Sequence, residues 1–392
     1  MAAGRPAVVS FRTAGGRRLF IIKKEKERKQ EMKRKVLSLL LAATMVLSLA
    51  ACGGGDDKKE ETAAPTEAAT EAAKETEAAT DAAADTTAAA ADTQAASGET
   101  KKITIGYAPA TLNNAFWLAV KDGVQKAIEE RTGYEVTLVD IDAGGDQAKM
   151  NDGISNLLGA GCDAMLVAPA DSTAAMSALE ECKNAGVPVI NFDTPVDNSN
   201  GIVETIIASD NYNAGYVVGK DAAEKMPEDA KILILNSDRA SACVERKKGF
   251  KDALDESGKK YNIINDLDGQ GDMEVSLGVV SNAIVADPDL DVIFAVNDPS
   301  AMGSVNAIQQ ATVELEKDIL VYGVDGNPDA KLMIKNGDMA GTGSQSPETL
   351  GYESMMAAFD VLEGKSIEPE IVVDTFLITA DNVDEFGTDG WQ

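Results

Sequence analysis

Regular alternation of short apolar runs with amphipathic stretches, from Lys101 onward, is the feature that most constrains this chain. Runs of strand length, such as 102–107 and 164–168, are each followed by apolar residues at helical spacing. Nearly continuous apolar strands are typical of parallel sheets that are covered on both faces. About five repeats precede residue 210 and about four follow it. This number of repeats is larger than a single compact lobe needs. We therefore predict an α/β fold with two doubly wound parallel-sheet lobes.

The alternation places each predicted element. The predicted strands are 102–107, 135–140, 164–168, 187–192, 202–208, 231–235, 262–266, 292–296 and 319–324. The predicted helices are 115–131, 146–159, 172–185, 211–226, 241–257, 273–286, 301–310 and 328–336. Ligands of such sheets bind beyond the carboxyl ends of the strands. The residues that follow each strand are therefore the candidates for a binding site.

The first 51 residues have the composition of an export signal. Three basic residues, 33–35, precede a sixteen-residue apolar segment, 36–51, which is shorter than the ~20 residues that a spanning helix needs. The segment ends in Leu-Ala-Ala-Cys, which resembles a bacterial lipobox and implies cleavage before Cys52 and lipid attachment to it. We predict that 1–51 is a signal peptide, and we interpret Met32 as its natural start, with 1–31 upstream of it.

The next segment has the composition of a tether. Residues 53–100 contain seventeen Ala and nine Thr, with twelve acidic residues and no aromatic or large aliphatic side chain. Such a stretch cannot bury enough apolar surface to offset the entropy of ordering. We predict that 52–100 is a lipid-anchored, acidic, low-complexity linker.

Charge and the absence of histidine exclude several functions. The formal net charge is −29, whereas a nucleic-acid binder needs a basic surface. With no histidine in the chain, a Ser-His-Asp triad and histidine metal ligands are excluded. The Asp-rich segment 266–274 does not fit a calcium-binding loop. If Gly269 takes the sixth position of such a loop, Ile264 and Val275 fall at the first and twelfth positions, where acidic ligands are required. We predict no catalytic residue, no metal and no cofactor.

Polar and aromatic residues recur where the predicted strands end. Carboxylates and amides pair with vicinal hydroxyls, and an aromatic face packs against the C–H face of a sugar ring. Single Asn and Asp residues after strands also cap the following helix, so capping is the alternative for each one. Phe116 and Trp117 are adjacent, so we predict that one lies in the core and one faces a cleft. The polar positions after the strands are Asn113 and Asn114, Asp193, Asn297, Asp325 and Gln345, and the aromatic residues beside the first of them are Phe116 and Trp117.

Four motifs carry a resemblance to a known family. The segments 111–117 (TLNNAFW), 207–211 (IASDN), 294–298 (FAVND) and 323–329 (GVDGNPD) are similar to those of ribose-binding-protein-like type 1 periplasmic binding proteins. The resemblance implies two lobes joined by a three-strand hinge. It further implies seven candidate ligand-binding residues in the cleft between the lobes: Asn114, Phe116, Trp117, Asp193, Asn297, Asp325 and Gln345. It also implies an N-terminal lobe of 101–209 plus 346–374, a C-terminal lobe of 210–345 plus 375–392, and hinge crossings near 209–210, 345–346 and 373–374.

The sequence departs from the ribose binders at several cleft positions. Thr194 and Val244 stand where those proteins have arginines, and a cleft aromatic is replaced around Gly271. Arg246 matches a different, structural arginine of the family. Asp238 and Arg239 are candidates for a substitute charge. These departures argue against ribose and leave a sugar of different shape, a deoxysugar, a polyol or a signalling furanose as the alternatives.

The resemblance implies a substrate-binding lipoprotein of an ABC importer that binds a monosaccharide or similar polyol. Its partners are the ligand, an ABC permease and, through the lipid only, the outer face of the cytoplasmic membrane; we predict a monomer that binds no nucleic acid. A sugar or autoinducer receptor that feeds a sensor kinase or chemotaxis system remains the alternative. Cys162 and Cys182 are compatible with a disulfide or with buried free thiols, and we favour free thiols.

Overall fold

The computed structural model describes residues 100–392 except 313, 314 and 316. The predicted signal peptide 1–51, the lipid-attachment residue Cys52 and linker residues 52–99 lie outside the described residues. The described part belongs to one compact unit, Asp92–Gln392. Among the described helices, none has the length and apolar character needed to cross a membrane.

The first lobe is built on a six-stranded sheet in which every neighbouring pair is parallel. Its strands are β1 (Lys101–Ala108), β2 (Tyr134–Asp140), β3 (Ala164–Val167), β4 (Val189–Phe192), β5 (Thr205–Ser209) and β11 (Glu370–Val373), in the order β11-β5-β4-β3-β1-β2. Its helices are α1 (Ala115–Glu130), α2 (Gln147–Ala160), α3 (Met176–Ala185) and α9 (Pro347–Leu362). Alternate residues of β3 enter different apolar clusters, Leu166 on one face and Met165 on the other, so both faces are buried.

The second lobe repeats this plan with one antiparallel edge, formed by β12 against β10. Its strands are β6 (Ala230–Asn236), β7 (Tyr261–Asp268), β8 (Val292–Ala295), β9 (Leu320–Asp325), β10 (Gly341–Ser344) and β12 (Phe376–Thr379), in the order β12-β10-β9-β8-β6-β7. Its helices are α4 (Asn211–Lys225), α5 (Ser241–Ser257), α6 (Met273–Ala286), α7 (Asp298–Gln309), α8 (Pro328–Asn336) and α10 (Val383–Phe386).

The chain passes between the two sheets three times. The passages follow β5, β10 and β11, and lead into α4, α9 and β12. Helix α4 packs on β9, β10 and β12 of the second sheet, whereas α9 packs on β3, β4 and β5 of the first. The predicted fold class, two doubly wound parallel-sheet lobes joined by three chain segments, is confirmed.

One predicted helix begins later than its sequence pattern indicated. The pattern started a helix at Ser172, but α3 begins at Met176. The Asp171 side chain accepts hydrogen bonds from the amides of Thr173 and Ala174, as a helix N-cap does, but the Met176 amide then donates to the Thr173 carbonyl, three residues back, so residues 172–175 form a turn. The amide of Ser172 donates to the Arg239 carbonyl of the other lobe, at 3.0 Å.

Helix pairs in both lobes meet at glycines. A Cβ on Gly351 of α9 would lie 1.8 Å from the Val120 carbonyl of α1, and a Cβ on Gly215 of α4 would lie 1.8 Å from the Arg246 carbonyl of α5. Only glycine permits this backbone approach. The two pairs place α1 and α5, which both carry residues of the site described below.

Cys162 and Cys182 are buried free thiols, as predicted. Both lie in the same apolar cluster of the first lobe. Burial, followed by the proximity of Cys162, raises the pKa of Cys182 to about 12, so this thiol is protonated and unreactive at neutral pH.

Candidate functional site

A cleft of about 940 Å³ lies between the two lobes. Its lining residues follow strands of both sheets, including β1, β2, β3 and β4 of the first lobe and β6, β7, β8, β9 and β10 of the second. Parallel strands that point at the cleft bring their carboxyl ends together there. All seven candidate residues from the sequence line it: Asn114, Phe116, Trp117, Asp193, Asn297, Asp325 and Gln345.

Aromatic rings form one wall of the cleft. Phe116 and Trp117 of α1 meet edge to face, with ring centroids 5.2 Å apart, and Trp117 meets Phe192 in the same way at 6.1 Å. The Tyr107 hydroxyl donates to the Trp117 carbonyl at 3.0 Å and fixes the first turn of α1. The two rings do not divide between core and cleft as expected. Both line the cleft, as the candidate set had it, and both also pack in the core.

Asn114 and Asn297 both cap helices. The Asn114 Oδ1 atom accepts from the Phe116 amide at 2.9 Å, and the Asn297 Oδ1 atom accepts from the Ser300 amide at 3.1 Å. Asn297 also donates from Nδ2 to the Gly271 carbonyl at 2.9 Å. The capping alternative therefore applies to both residues, although both also line the cleft.

Asp193 presents an unpaired oxygen atom. It follows β4 with φ of 57°, in the left-handed region that non-glycine residues rarely adopt. Its Oδ1 atom accepts from the Thr194 hydroxyl at 2.9 Å, whereas its buried Oδ2 atom has no hydrogen-bond partner. Burial raises the pKa of Asp193, and Arg246 opposes this rise. An unpaired buried carboxylate oxygen is costly, so this atom is suited to accept a hydrogen bond from a ligand.

Asp325, Gln345 and Arg246 form a hydrogen-bonded network on the opposite wall. The Asp325 Oδ1 atom accepts from Gln345 Nε2 at 2.8 Å and from Arg246 Nη1 at 3.4 Å. Asp325 also has a positive φ, 144°. The Gln345 Oε1 atom is buried without a partner and is the second open acceptor of the site. The protein itself therefore already pairs Asp325, while Gln345 retains one free acceptor.

Asp298 lies behind this network and was missed by the sequence analysis. Its side chain accepts from the Thr342 hydroxyl and from the Asn327 amide, both at 2.7 Å. Its own amide donates to the Asp325 Oδ2 atom at 3.3 Å. Burial raises the pKa of Asp298 to about 6, and burial with repulsion from Asp298 raises that of Asp325 to about 8, against the attraction of Arg246. The two carboxyls thus resist ionising together.

Arg246 was interpreted from the sequence as structural, yet it lines the cleft. It is almost fully buried, and it donates from Nε to Asn211 Oδ1 at 2.8 Å and from Nη1 to the Val296 carbonyl at 3.0 Å. Its position one turn after Ala242, on the buried face of α5, is a signal that could have identified it. It both anchors the network and balances its charge.

The residues at the positions that depart from the ribose binders do not all line the cleft. Thr194, Gly271 and Arg239 line the cleft, whereas Asp238 is exposed and pairs with Lys247 at 2.5 Å, and Val244 is partly exposed outside the lining. Arg239 is exposed at the rim, where it donates to the Gln270 carbonyl at 3.5 Å. Of the two candidates for a substitute charge, only Arg239 reaches the cleft.

Direct hydrogen bonds join the lobes beside the cleft. In addition to the bond from Ser172 to Arg239, the Ser241 amide donates to the Ser172 hydroxyl oxygen at 3.1 Å. The Ser241 hydroxyl donates to the Pro195 carbonyl at 2.5 Å. The structure therefore has the lobes in a closed arrangement, with the open acceptors of Asp193 and Gln345 inside it.

Comparisons with known proteins agree with this architecture. Residues 105–366 match the family described as periplasmic binding protein domain. The ribose import binding protein of Bacillus subtilis is 36% identical over 276 residues, which span 70% of this chain and 87% of that protein. Its counterpart in Escherichia coli is 34% identical over 278 residues, 71% of this chain and 90% of that protein.

A solved structure has the same fold. An ABC transporter solute-binding protein of Agrobacterium vitis, with bound D-fucose, superposes with a TM-score of 0.66 at 26% identity, covering 72% of this chain and 97% of that one. The match in fold and sequence therefore covers both lobes. The chain belongs to the family of periplasmic binding protein domains, among its ribose-binding-protein-like type 1 members.

Proposed function

We propose that this protein is the substrate-binding lipoprotein of an ABC importer and that it binds a monosaccharide or similar polyol in the interlobe cleft. One observation carries the proposal: two buried, unpaired acceptors, Asp193 Oδ2 and Gln345 Oε1, lie in a cleft with an aromatic wall. A ligand that satisfies them must donate hydrogen bonds and also present an apolar face. A sugar or cyclic polyol has both.

The proposed roles follow from this geometry. Phe116 and Trp117 pack against the C–H face of the ring, and Asp193 accepts from hydroxyls through its open oxygen. Asn114, Asn297, Asp325 and Gln345 complete the polar set, with Asp325 orienting the Gln345 amide at 2.8 Å. The protein acts as a receptor and not as an enzyme, since these contacts bind a ligand without providing a reacting group.

The proposed mechanism is hinge closure. The walls of the cleft come from different lobes, so a ligand that contacts both stabilises the closed arrangement. We keep the division predicted above, 101–209 plus 346–374 and 210–345 plus 375–392, which the three passages of the chain support. In the cell envelope the closed monomer presents both lobes to the permease, while a lipid on Cys52 holds it at the membrane.

A thermal-shift panel tests the function. The compact unit 92–392 holds both sheets and all four apolar clusters, so it is suited to measurement alone. We expect its Tm to rise with at least one of D-ribose, D-fucose and myo-inositol, and not with L-leucine, because binding to the folded state raises stability. No rise with any sugar or polyol in an extended panel contradicts the proposal.

Asp193→Asn tests the site. Loss of a charge-assisted hydrogen bond should weaken binding of the stabilising sugar about 10- to 100-fold, measured by calorimetry. Asp197→Asn is the matched control, since Asp197 is an exposed aspartate outside the cleft lining. Equal affinities for the two variants would overturn the assignment of Asp193.

A further inference from the structure

The last three residues, Gly390–Gln392, contact both lobes at the cleft, and we call them the strap. The chain reaches the strap from α10 of the second lobe, and the predicted lobe division assigns it there. Trp391 nevertheless meets Phe116 of the first lobe edge to face, with centroids 5.8 Å apart, and packs against that lobe's apolar cluster. The side chain of Gln392 points the other way, into the second lobe.

Partly buried hydrogen bonds hold Gln392 in place. Its Nε2 atom donates to the Gly326 carbonyl at 3.1 Å and to the Gln345 carbonyl at 3.4 Å. Gly326 has φ of 80°, and a Cβ at this position would lie 2.5 Å from Gln392 Nε2. The backbone next to Asp325 and Gln345 is therefore shaped to receive this side chain.

Lys331 of α8 keeps the strap ordered in the folded protein, because the strap supplies its hydrogen-bond acceptors. It is fully buried and donates from Nζ to the Gly390 carbonyl at 2.6 Å and to Gln392 Oε1 at 2.9 Å. Burial lowers the pKa of Lys331, which reflects the cost of enclosing its charge. Displacing the strap would remove both acceptors from a buried ammonium, so the second-lobe end of the strap stays attached.

We propose that the strap holds the lobes closed and that Trp391 is a positioning residue for the Phe116 ring. Because the Gln392 end is fixed to the second lobe, opening of the cleft must separate Trp391 from Phe116. The lost contact belongs to the closed arrangement alone and thus shifts the equilibrium between the two forms. This device goes beyond the proposed function and does not depend on which ligand binds.

Scattering from the ligand-free unit 92–392 tests the strap. Trp391→Ala should raise the ratio of open to closed molecules about 2- to 10-fold, the effect of losing one aromatic pair, and so increase the radius of gyration. Trp391→Phe should restore the closed form. Tyr134→Ala is the matched control, since it removes a first-lobe ring that packs on Phe359 away from the strap, with centroids 4.9 Å apart. It should lower Tm without changing the radius.

A second variant and a spectroscopic signal keep the test decisive if Trp391→Ala does not fold. The chain has two tryptophans, so Trp117→Phe leaves Trp391 as the single indole fluorophore. In that background, Gln392→Ala should shift Trp391 emission to the red and increase its quenching by acrylamide. An unchanged radius of gyration in Trp391→Ala, or unchanged Trp391 emission in the Gln392→Ala variant, overturns the proposal.

Discussion

The two walls of the cleft differ in how many of their buried polar groups already have hydrogen-bond partners within the protein. The first-lobe wall is aromatic, and its single buried acid, Asp193, keeps one oxygen unpaired. The second-lobe wall is ionic, and Asp325 and Arg246 are already bonded to each other and to their neighbours. Apart from the Gln345 Oε1 atom, which is also open, the second wall is thus preorganised without a ligand, whereas the buried acid of the first wall needs a ligand to complete it.

We infer from this difference that the two lobes have different roles in ligand binding. A prepaired network holds its geometry through opening and closing, since its bonds lie within one lobe. Asp193 faces that network from across the cleft, and the attraction of Arg246 for its carboxylate acts between lobes. Three perturbations, taken from the largest expected effect to the smallest, test this comparison.

Removing Arg246 should have the largest effect. Arg246→Met leaves the buried Asp325 carboxyl, the Asn211 side chain and the Val296 carbonyl without their guanidinium donor, which should cost about 3–5 kcal/mol of unfolding free energy in urea denaturation. Arg131 is the matched first-lobe control, because it pairs with Glu363 at a partly exposed position. Arg131→Met should cost about 0–1 kcal/mol. Similar losses in the two variants would contradict a special role for the second-lobe network.

The pH dependence of stability should report on the same network. Asp325 and Asp298 have pKa values raised to about 8 and about 6, so the folded chain binds more protons than the unfolded chain between about pH 4 and pH 8. The free energy of unfolding should therefore fall as pH rises through that window. The chain has no histidine to obscure the effect. Asp325→Asn should flatten the profile of Tm against pH; an unaltered profile would refute the assignment.

A change to the aromatic wall should have the smallest effect on stability. Phe116→Leu keeps an apolar side chain but loses the edge-to-face contacts, at about 0.5–1.5 kcal/mol each. Phe294→Leu is the second-lobe counterpart, since Phe294 stacks on Phe250 at 4.1 Å inside the core. Both variants should lose similar unfolding free energy, but only Phe116→Leu should weaken binding of the stabilising sugar. Weaker binding in both would remove the distinction between wall and core.

Much of the fold followed from local patterns, and the failures have identifiable causes. Helices such as 241–257 and 273–286 matched because their periodicity and ends are local signals. The start of α3 was missed because the Met176 amide bonds to the Thr173 carbonyl, three residues back, so an Asp171-capped turn precedes the regular helix. Asp298 was missed because its partners, Thr342 and Asn327, come from later strands whose approach no local pattern encodes.

The resemblance to ribose-binding-protein-like receptors supplied the seven candidate residues, and the sequence by itself determined the α/β class and the strand ends where a site must lie. It could do so because parallel strands place their carboxyl-end residues together whatever the details of packing. Only the tertiary structure decided which acceptors are open, since pairing depends on residues far apart in the chain. Gln345 and Asp325 are twenty positions apart and bond directly, whereas Trp391 reaches Phe116 from the other end of the domain.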